Sequence, residues 1–331
     1  MKVLLTGGAG YVGSACLRWL CKHGHDPVAY DNLAEGNRQA VPEGRLIEGD
    51  ILDLDRLTQA IKDTGAEAVM HFAALASVPD SIRVPEEYWR TNAVGTKNVL
   101  DAMRANGVNK ILFSGTAATY SFEVEMPIAE TSSQVPQTPY GTTKLAAEHL
   151  IKDYSRAYGM GYGILRYFNA SGADPDGEFG EDRRKETHLI PLVLFAALGR
   201  IDKFKICGSD WPTPDGSCVR DFVHTDDLAQ AHQLVLESVE PGSGQAYNVG
   251  SGTGASVIEV FEACEKVVGR SIPCDRVEAR PGDPAVLVAD TQKLREKLGW
   301  KPKYDSVEDI VQTAWQWHNR YPQGYKSKHQ G

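Results

Sequence analysis

Paired cysteines are missing from this sequence. Its six (Cys16, Cys21, Cys207, Cys218, Cys264 and Cys274) include no C-x-x-C and lie scattered through apolar or mixed stretches. That pattern argues against a disulfide framework or zinc site and for reduced, buried thiols. Basic residues are outnumbered 35 to 44, which leaves a formal charge of −9 and no basic face of the kind nucleic acid requires. An anionic small molecule could still be held by local arginines. Long hydrophobic runs are also absent: the longest, LIPLVLFAALG at 189–199, is too short for a bilayer, which needs about 20 residues. The opening MKVLLTGGAG reaches its glycines too soon for a secretory leader, so a soluble, cytoplasmic protein is expected. There is no internal repeat and no low-complexity segment.

What is present is an alternation. Apolar strand candidates at 2–7, 27–32, 45–50, 68–74, 110–116 and 161–169 are separated by helical patterns at 12–23, 53–64, 88–106 and 140–159. Near-continuous apolar strands divided by helices predict a parallel sheet covered on both faces. After residue 170 the pattern loosens, with loop-like stretches at 172–182 and 208–217. The expected architecture is α/β. A doubly wound parallel sheet over 1–168 would bind a dinucleotide, and a smaller domain, mainly 169–331, would bind substrate. Some later segments are expected to return to the sheet.

TGGAGYVG (6–13) follows the first strand and opens the first helix, with Gly7, Gly10 and Gly13 spaced G-x-x-G-x-x-G. Such a turn lets backbone N–H groups approach a pyrophosphate at a helix N-terminus. The second strand ends in Asp31, eighteen residues after Gly13, where a carboxylate could accept hydrogen bonds from an adenine ribose and repel a 2′-phosphate. That order favours NAD over NADP, although Asp31 alone would also suit a turn. Asp50, after the third strand, could read an adenine amino group or cap a helix.

PYGTTK (139–144) places Tyr140 and Lys144 one helical turn apart on a shared face. Alone, the pair could be a surface tyrosine beside a surface lysine. It follows a strand ending in Thr116, whose hydroxyl would point at the same ligand face of the sheet, or simply be a β-branched strand residue. With a nicotinamide the three make a hydride-transfer site. A tyrosine titrates near ~10, and neighbouring positive charge would favour its phenolate as a base near neutrality.

Together, TGGAGYVG, Asp31, HFAALASVPDS (71–81), TNAVGT (91–96), the Thr116 strand end, PYGTTK, RYFNASG (166–172) and RPGD (280–283) resemble the extended short-chain dehydrogenase/reductase family. The resemblance runs nearly end to end and is nearest the branch that epimerises UDP-glucose and UDP-galactose at C4. It implies a Rossmann domain holding NAD tightly and a small C-terminal domain closing over a UDP-sugar. By this resemblance Tyr11, Val12, Asp31, Asn32, Asp50, Ile51, Phe72, Ala73, Ala74, Asn92 and Phe168 line the NAD, and Lys144 also holds its nicotinamide ribose. Asn169, His188, Leu189, Arg220, Arg280 and Asp283 fall where the family holds UDP, the two arginines being otherwise surface ion-pair candidates. Leu287, four residues after Asp283, falls where relatives border the sugar's 2-substituent. Two departures stand out: Ala76 replaces a lysine that some members place near the nicotinamide, and His188 replaces a frequent asparagine. Relatives also pair the helices at 88–106 and 140–159 into a homodimer, though their apolar stripes could instead face the sheet.

Dehydratases and decarboxylases of this family add carboxylates after the strand-end Thr or Ser. Here Ala117 and Ala118 follow Thr116. Neither can move a proton, so the resemblance implies epimerisation: Tyr140 takes the C4 proton, NAD stores the hydride, and the 4-keto sugar turns over before re-reduction. A net oxidoreductase and a non-catalytic dinucleotide sensor are the alternatives; sensors of this kind have usually lost the Tyr–Lys pair.

Overall fold

The computed structural model describes residues 1–208, 210–279 and 283–328. Seven strands, β1 (Lys2–Thr6), β2 (Asp26–Asp31), β3 (Leu46–Glu48), β4 (Ala68–His71), β5 (Lys110–Thr116), β6 (Gly161–Tyr167) and β7 (Gly244–Val249), form one sheet in the order β7-β6-β5-β4-β1-β2-β3. All six pairings are parallel. The chain winds outward from β1 to β3, then jumps back to β4 beside β1. That reversal opens a crevice at the carboxyl ends of the strands, where such sheets bind ligands.

The longer helices are α1 (Tyr11–Lys22), α2 (Leu54–Thr64), α3 (Gly95–Ala105), α4 (Pro139–Tyr158), α5 (Leu189–Ala197), α6 (Thr225–Ser238), α7 (Val257–Val268) and α8 (Val307–Arg320). On one face of the sheet Leu17 and Leu20 of α1 and Leu228 and Val235 of α6 pack with Leu5, Met70 and Leu165. On the other, Leu57 and Ile61 of α2, Val99 and Met103 of α3 and Ile151 of α4 pack with Leu4, Val69 and Ile111. Burial on both faces is why these strands are apolar throughout rather than alternating. A separate core joins α5, α7 and α8 through Leu194, Val260, Cys264, Ile310 and Val311. Beside it, Val219–Arg220 runs between Ala255–Ser256 and Val286–Leu287 in a small sheet. Among the described residues no helix is long and apolar enough to cross a membrane. All six cysteines are free.

Three departures from the expected spans shape the crevice. The strand predicted over 68–74 stops at His71, because the N–H groups of Phe72 and Ala73 both turn back to the Thr6 carbonyl, at 2.8 and 3.0 Å. The strand predicted over 161–169 stops at Tyr167, and Asn169–Ser171 pairs instead with Phe222–His224. The helix predicted over 88–106 begins at Pro85 and passes through a π-helical turn, Trp89–Val94, before α3. Such turns are rare and concentrate at functional sites.

A strap over 172–188 crosses between the two cores. Tyr11 Oη donates to Gly172 O (2.5 Å), Asn37 Nδ2 to Asp182 O (2.8 Å) and Arg184 Nη2 to Leu33 O (3.1 Å). From the far side, Trp317 Nε1 donates to Glu181 O (3.1 Å) and Tyr325 N to Asp182 Oδ2 (2.9 Å).

Candidate active site

The glycine loop is fixed by what it must avoid. Gly7 has φ +73°, and a Cβ there would lie 2.5 Å from Ala73 N. A Cβ on Gly13 would meet Gly7 O at 2.2 Å, so the first turn of α1 can seat against the loop only without one. Gly10 is the N-cap of α1 and has no side chain to satisfy the helix's first N–H groups, which leaves them to a ligand.

Gly7, Gly10, Asp31, Asn32, Asp50, Ile51, Phe72, Ala73 and Ala74 line one groove along the strand ends, with Leu75 and Thr91 at its border. The Asp31 carboxylate accepts from Ala9 N (3.0 Å) and Leu33 N (2.8 Å), so it both braces the glycine loop and turns the chain after β2. Burial raises its pKa, and those two backbone bonds oppose the rise. Asn32 Nδ2 donates to Asp50 Oδ2 at 2.9 Å. The cap of α2 is Asp53, which accepts from Arg56 N, so Asp50 does not cap the helix; its carboxylate also accepts from Leu52 N (2.8 Å), turning the chain at the groove. Val12 packs on the core behind the loop. Phe168 lies half-buried between β6 and Asn169–Ser171. Backbone donors at a helix N-terminus beside a carboxylate at the end of β2 fit a dinucleotide carrying a free ribose 2′-hydroxyl.

Thr138 caps α4, accepting from Gly141 N (3.2 Å), and Pro139 fills the first helical position; the next residue in this fixed turn is Tyr140. Lys144 is buried with its ammonium 4.2 Å above the centre of the Phe113 ring. Burial lowers its pKa to about 7, opposed by the charge of Glu148. Burial raises the pKa of Tyr140, offset first by the Thr116 hydroxyl and then by the Arg183 cation. Arg183 thus adds a cation acting on the phenol that the sequence pattern does not show. Thr116 also accepts from Ala118 N (3.2 Å), so the strand-end turn bears a hydroxyl and two methyl groups and no carboxylate.

Glu148 itself is buried. Arg166 of β6 meets it with two hydrogen bonds, Nε to Oε1 (2.9 Å) and Nη2 to Oε2 (2.7 Å), and its Nη1 donates to Tyr120 Oη (2.7 Å). Tyr120 donates to Asn248 Oδ1 (2.7 Å), whose Nδ2 donates to Ile128 O (2.7 Å).

The residues assigned to UDP fall in two places. Asn169 donates twice to Asp221 O, from its main chain (3.1 Å) and its amide (2.7 Å). Arg220 stands opposite Leu287 in the small sheet and 3.8 Å from Asp283. Arg280 lies outside the described residues. His188 caps α5 just before Leu189; its Nδ1 is 2.7 Å from Glu181 Oε1 and 3.3 Å from Glu186 Oε1. Burial would lower its pKa, but the two carboxylates prevail and bring it to about 9. Arg183 Nε also donates to Glu181 (2.6 Å), and its charge acts on both His188 and Tyr140. Glu181, Glu186 and His188 bring ligand atoms within 4.8 Å of one another, a spacing a metal ion could use. The Arg183 and His188 contacts already occupy Glu181, so the cluster is ion-paired as it stands.

Arg183, Glu148 and Arg166 were not read from the sequence. Their signal was weak: a charged loop residue, an acid in an amphipathic helix, and a lone arginine in an apolar strand.

The family model described as "NAD dependent epimerase/dehydratase family" matches residues 3–250. The chain belongs to that family. Among curated proteins of this epimerase/dehydratase family, the UDP-glucose 4-epimerase of Corynebacterium glutamicum is 48% identical over 316 residues, covering 95% of each chain. Among solved structures, UDP-glucose 4-epimerase from Brucella ovis in complex with NAD superposes with a TM-score of 0.91 at 45% identity, covering 95% of this chain and 97% of that one. The Bifidobacterium longum UDP-glucose 4-epimerase in complex with NAD+ and UDP gives 0.93 at 33% identity, covering 98% and 100%. The fold is the α/β, Rossmann-type sheet of those relatives.

Proposed function

We propose that this chain interconverts UDP-glucose and UDP-galactose, the C4 epimerisation of galactose metabolism, with NAD retained through the cycle. The observation that carries this reading is the strand-end constellation: Tyr140, Lys144 and Thr116 together, followed by Ala117 and Ala118 where a second acid/base would stand.

Bound NAD supplies the hydride acceptor and donor at C4. The chain supplies the rest. Tyr140 takes the C4 hydroxyl proton and later returns it, and Thr116 fixes the hydrogen-bond geometry of the phenol. Lys144, whose charged form Glu148 favours, would hold the nicotinamide ribose. With no carboxylate at Ala117 or Ala118, the 4-keto sugar meets no base for elimination, so turning over and re-reduction is the open course. Arg220, Asp283, His188, Leu189, Asn169 and Arg280 hold the UDP, and Leu287 faces the sugar's 2-position. The glycine loop, Tyr11, Val12, Asp31, Asn32, Asp50, Ile51, Phe72, Ala73, Ala74 and Phe168 hold the dinucleotide.

Ile82, Val84, Trp89 and Val94 leave large apolar side chains exposed before α3, which supports a homodimer through α3 and α4. Free thiols throughout support a cytoplasmic location.

The test is incubation of purified protein with UDP-galactose alone, followed by separation of the products. UDP-glucose is expected to form to an equilibrium mixture without added cofactor. Turnover only with stoichiometric consumption of NAD would refute the proposal and favour a net oxidoreductase.

A further inference from the structure

Asn92 falls in the π-helical turn, 1% exposed, and every hydrogen-bond donor of its side chain is committed inside the protein. Its Oδ1 accepts from Leu75 N (2.8 Å). Its two amide hydrogens go to Leu75 O (3.0 Å) and Thr143 Oγ1 (3.1 Å). A primary amide has two donors, so none is left for a ligand. Thr143, fully buried, passes its own hydrogen to Tyr140 O at 2.9 Å.

The main chain of Asn92 is held from the opposite side. Thr96 Oγ1 donates to Asn92 O (2.6 Å) and lies 2.9 Å from His71 Nε2. Because the Thr96 hydrogen is already placed, Nε2 carries the imidazole proton and Nδ1 accepts from Thr6 Oγ1, 2.7 Å away. The bonds therefore run unbroken from Thr6, the residue before the glycine loop, through the end of β4 and the π turn to the helix bearing Tyr140 and Lys144. Leu75, gripped on both its N–H and C=O, continues the groove floor of Phe72, Ala73 and Ala74.

We propose that Asn92 is a positioning residue rather than a dinucleotide contact: through Leu75 and Thr143 it sets the catalytic helix against the cofactor groove. This rests on reading Tyr140 and Lys144 as the acting pair. A misplacement of about 1 Å at a reacting group can cost a hundredfold in rate, which is the scale such a clamp guards.

The test uses the full chain with its bound NAD. Thr143→Val keeps shape and removes the hydroxyl. It is expected to lower kcat for UDP-galactose roughly tenfold to a hundredfold, with KM and NAD content unchanged, and Thr143→Ser is expected to restore kcat to within about twofold. Asn92→Ala is expected to retain NAD and lose kcat on the same scale. The double variant should be no slower than the slower single one, because the two act through one contact. Hydrogen exchange should accelerate together at Leu75 and across 140–144 in Asn92→Ala. Loss of NAD from Asn92→Ala with wild-type kcat in Thr143→Val would overturn the proposal, as would unchanged exchange at both segments. A wild-type protein that holds NAD but does not epimerise fails the functional reading instead, and the exchange measurement still decides the clamp.

Discussion

Replacing Glu148 by glutamine tests whether the buried ion pair behind the catalytic helix does what its geometry implies. The Arg166 and Glu148 side chains are 3% and 0% exposed and joined by two charge-assisted bonds, so the substitution keeps volume and removes the only full countercharge that the guanidinium directly touches among the described residues. Removing one partner of a buried pair costs about 3–5 kcal/mol, since the remaining charge stays desolvated. With a urea slope on the order of 3 kcal/mol/M, the unfolding midpoint should fall by roughly 1–1.7 M at pH 7. Burial alone would raise the Glu148 pKa, but Arg166 brings it below the ordinary value. A depressed carboxylate contributes stability above its unfolded pKa of about 4.3 and loses it as pH falls through the folded value, so wild type and variant should converge in acid. Glu148 also raises the Lys144 pKa. Its removal should therefore move Lys144 further below about 7, shifting to lower pH the limb on which turnover falls as pH rises. A stability loss under about 1 kcal/mol at pH 7, with an unmoved pH profile, would refute the reasoning.

Other outcomes follow from the site. Tyr140→Phe should lose most turnover, on the order of 10²–10⁴-fold, while the protein keeps NAD by mass analysis; near wild-type kcat would remove Tyr140 as the base. His188→Gln should lower stability below pH about 6.5 and match wild type above about 9, because a raised folded pKa contributes below the unfolded value and fades through the folded one. At 40% exposure solvent screening keeps that effect small, so urea midpoints are best compared from pH 6 to 10. Leu287→Tyr should reduce turnover of UDP-N-acetylglucosamine relative to UDP-glucose, by the roughly 1–3 kcal/mol that one side chain's size commands. An unchanged ratio of specificity constants would mean that Leu287 does not border the sugar.

What the sequence reveals of this chain depends on the range of the forces involved. The first six strands and their helices are local patterns and read well, and the order of strand, glycine loop, helix, strand and Asp31 leads to a groove that the folded chain contains. β7 escaped because GQAYNV is short and mixed, and it pairs with a strand 82 positions earlier. The π turn escaped because one extra residue barely disturbs a 3.6-residue period over TNAVGT. Glu148 escaped because only the arrival of Arg166 from β6 makes its burial tolerable. Arg183 sits in a charged loop: its bond to Glu181, two residues away, is local, but its influence on Tyr140 exists only once the chain is folded.

The strap over 172–188 has a consequence for the groove beside it. The rim residues Leu33 and Asn37 are gripped by Arg184 and Asp182, and the strap is gripped in turn by Trp317 and Tyr325 near the other end of the chain. Loosening the rim means unseating aromatic side chains in a small core of Ala40, Ala173, Trp317, Tyr321 and Tyr325. A ligand entering the groove therefore meets a border already immobilised, and the entropy of ordering it is charged to folding rather than to binding. Affinity at one end of the molecule is in this way underwritten by packing some three hundred residues further along the chain.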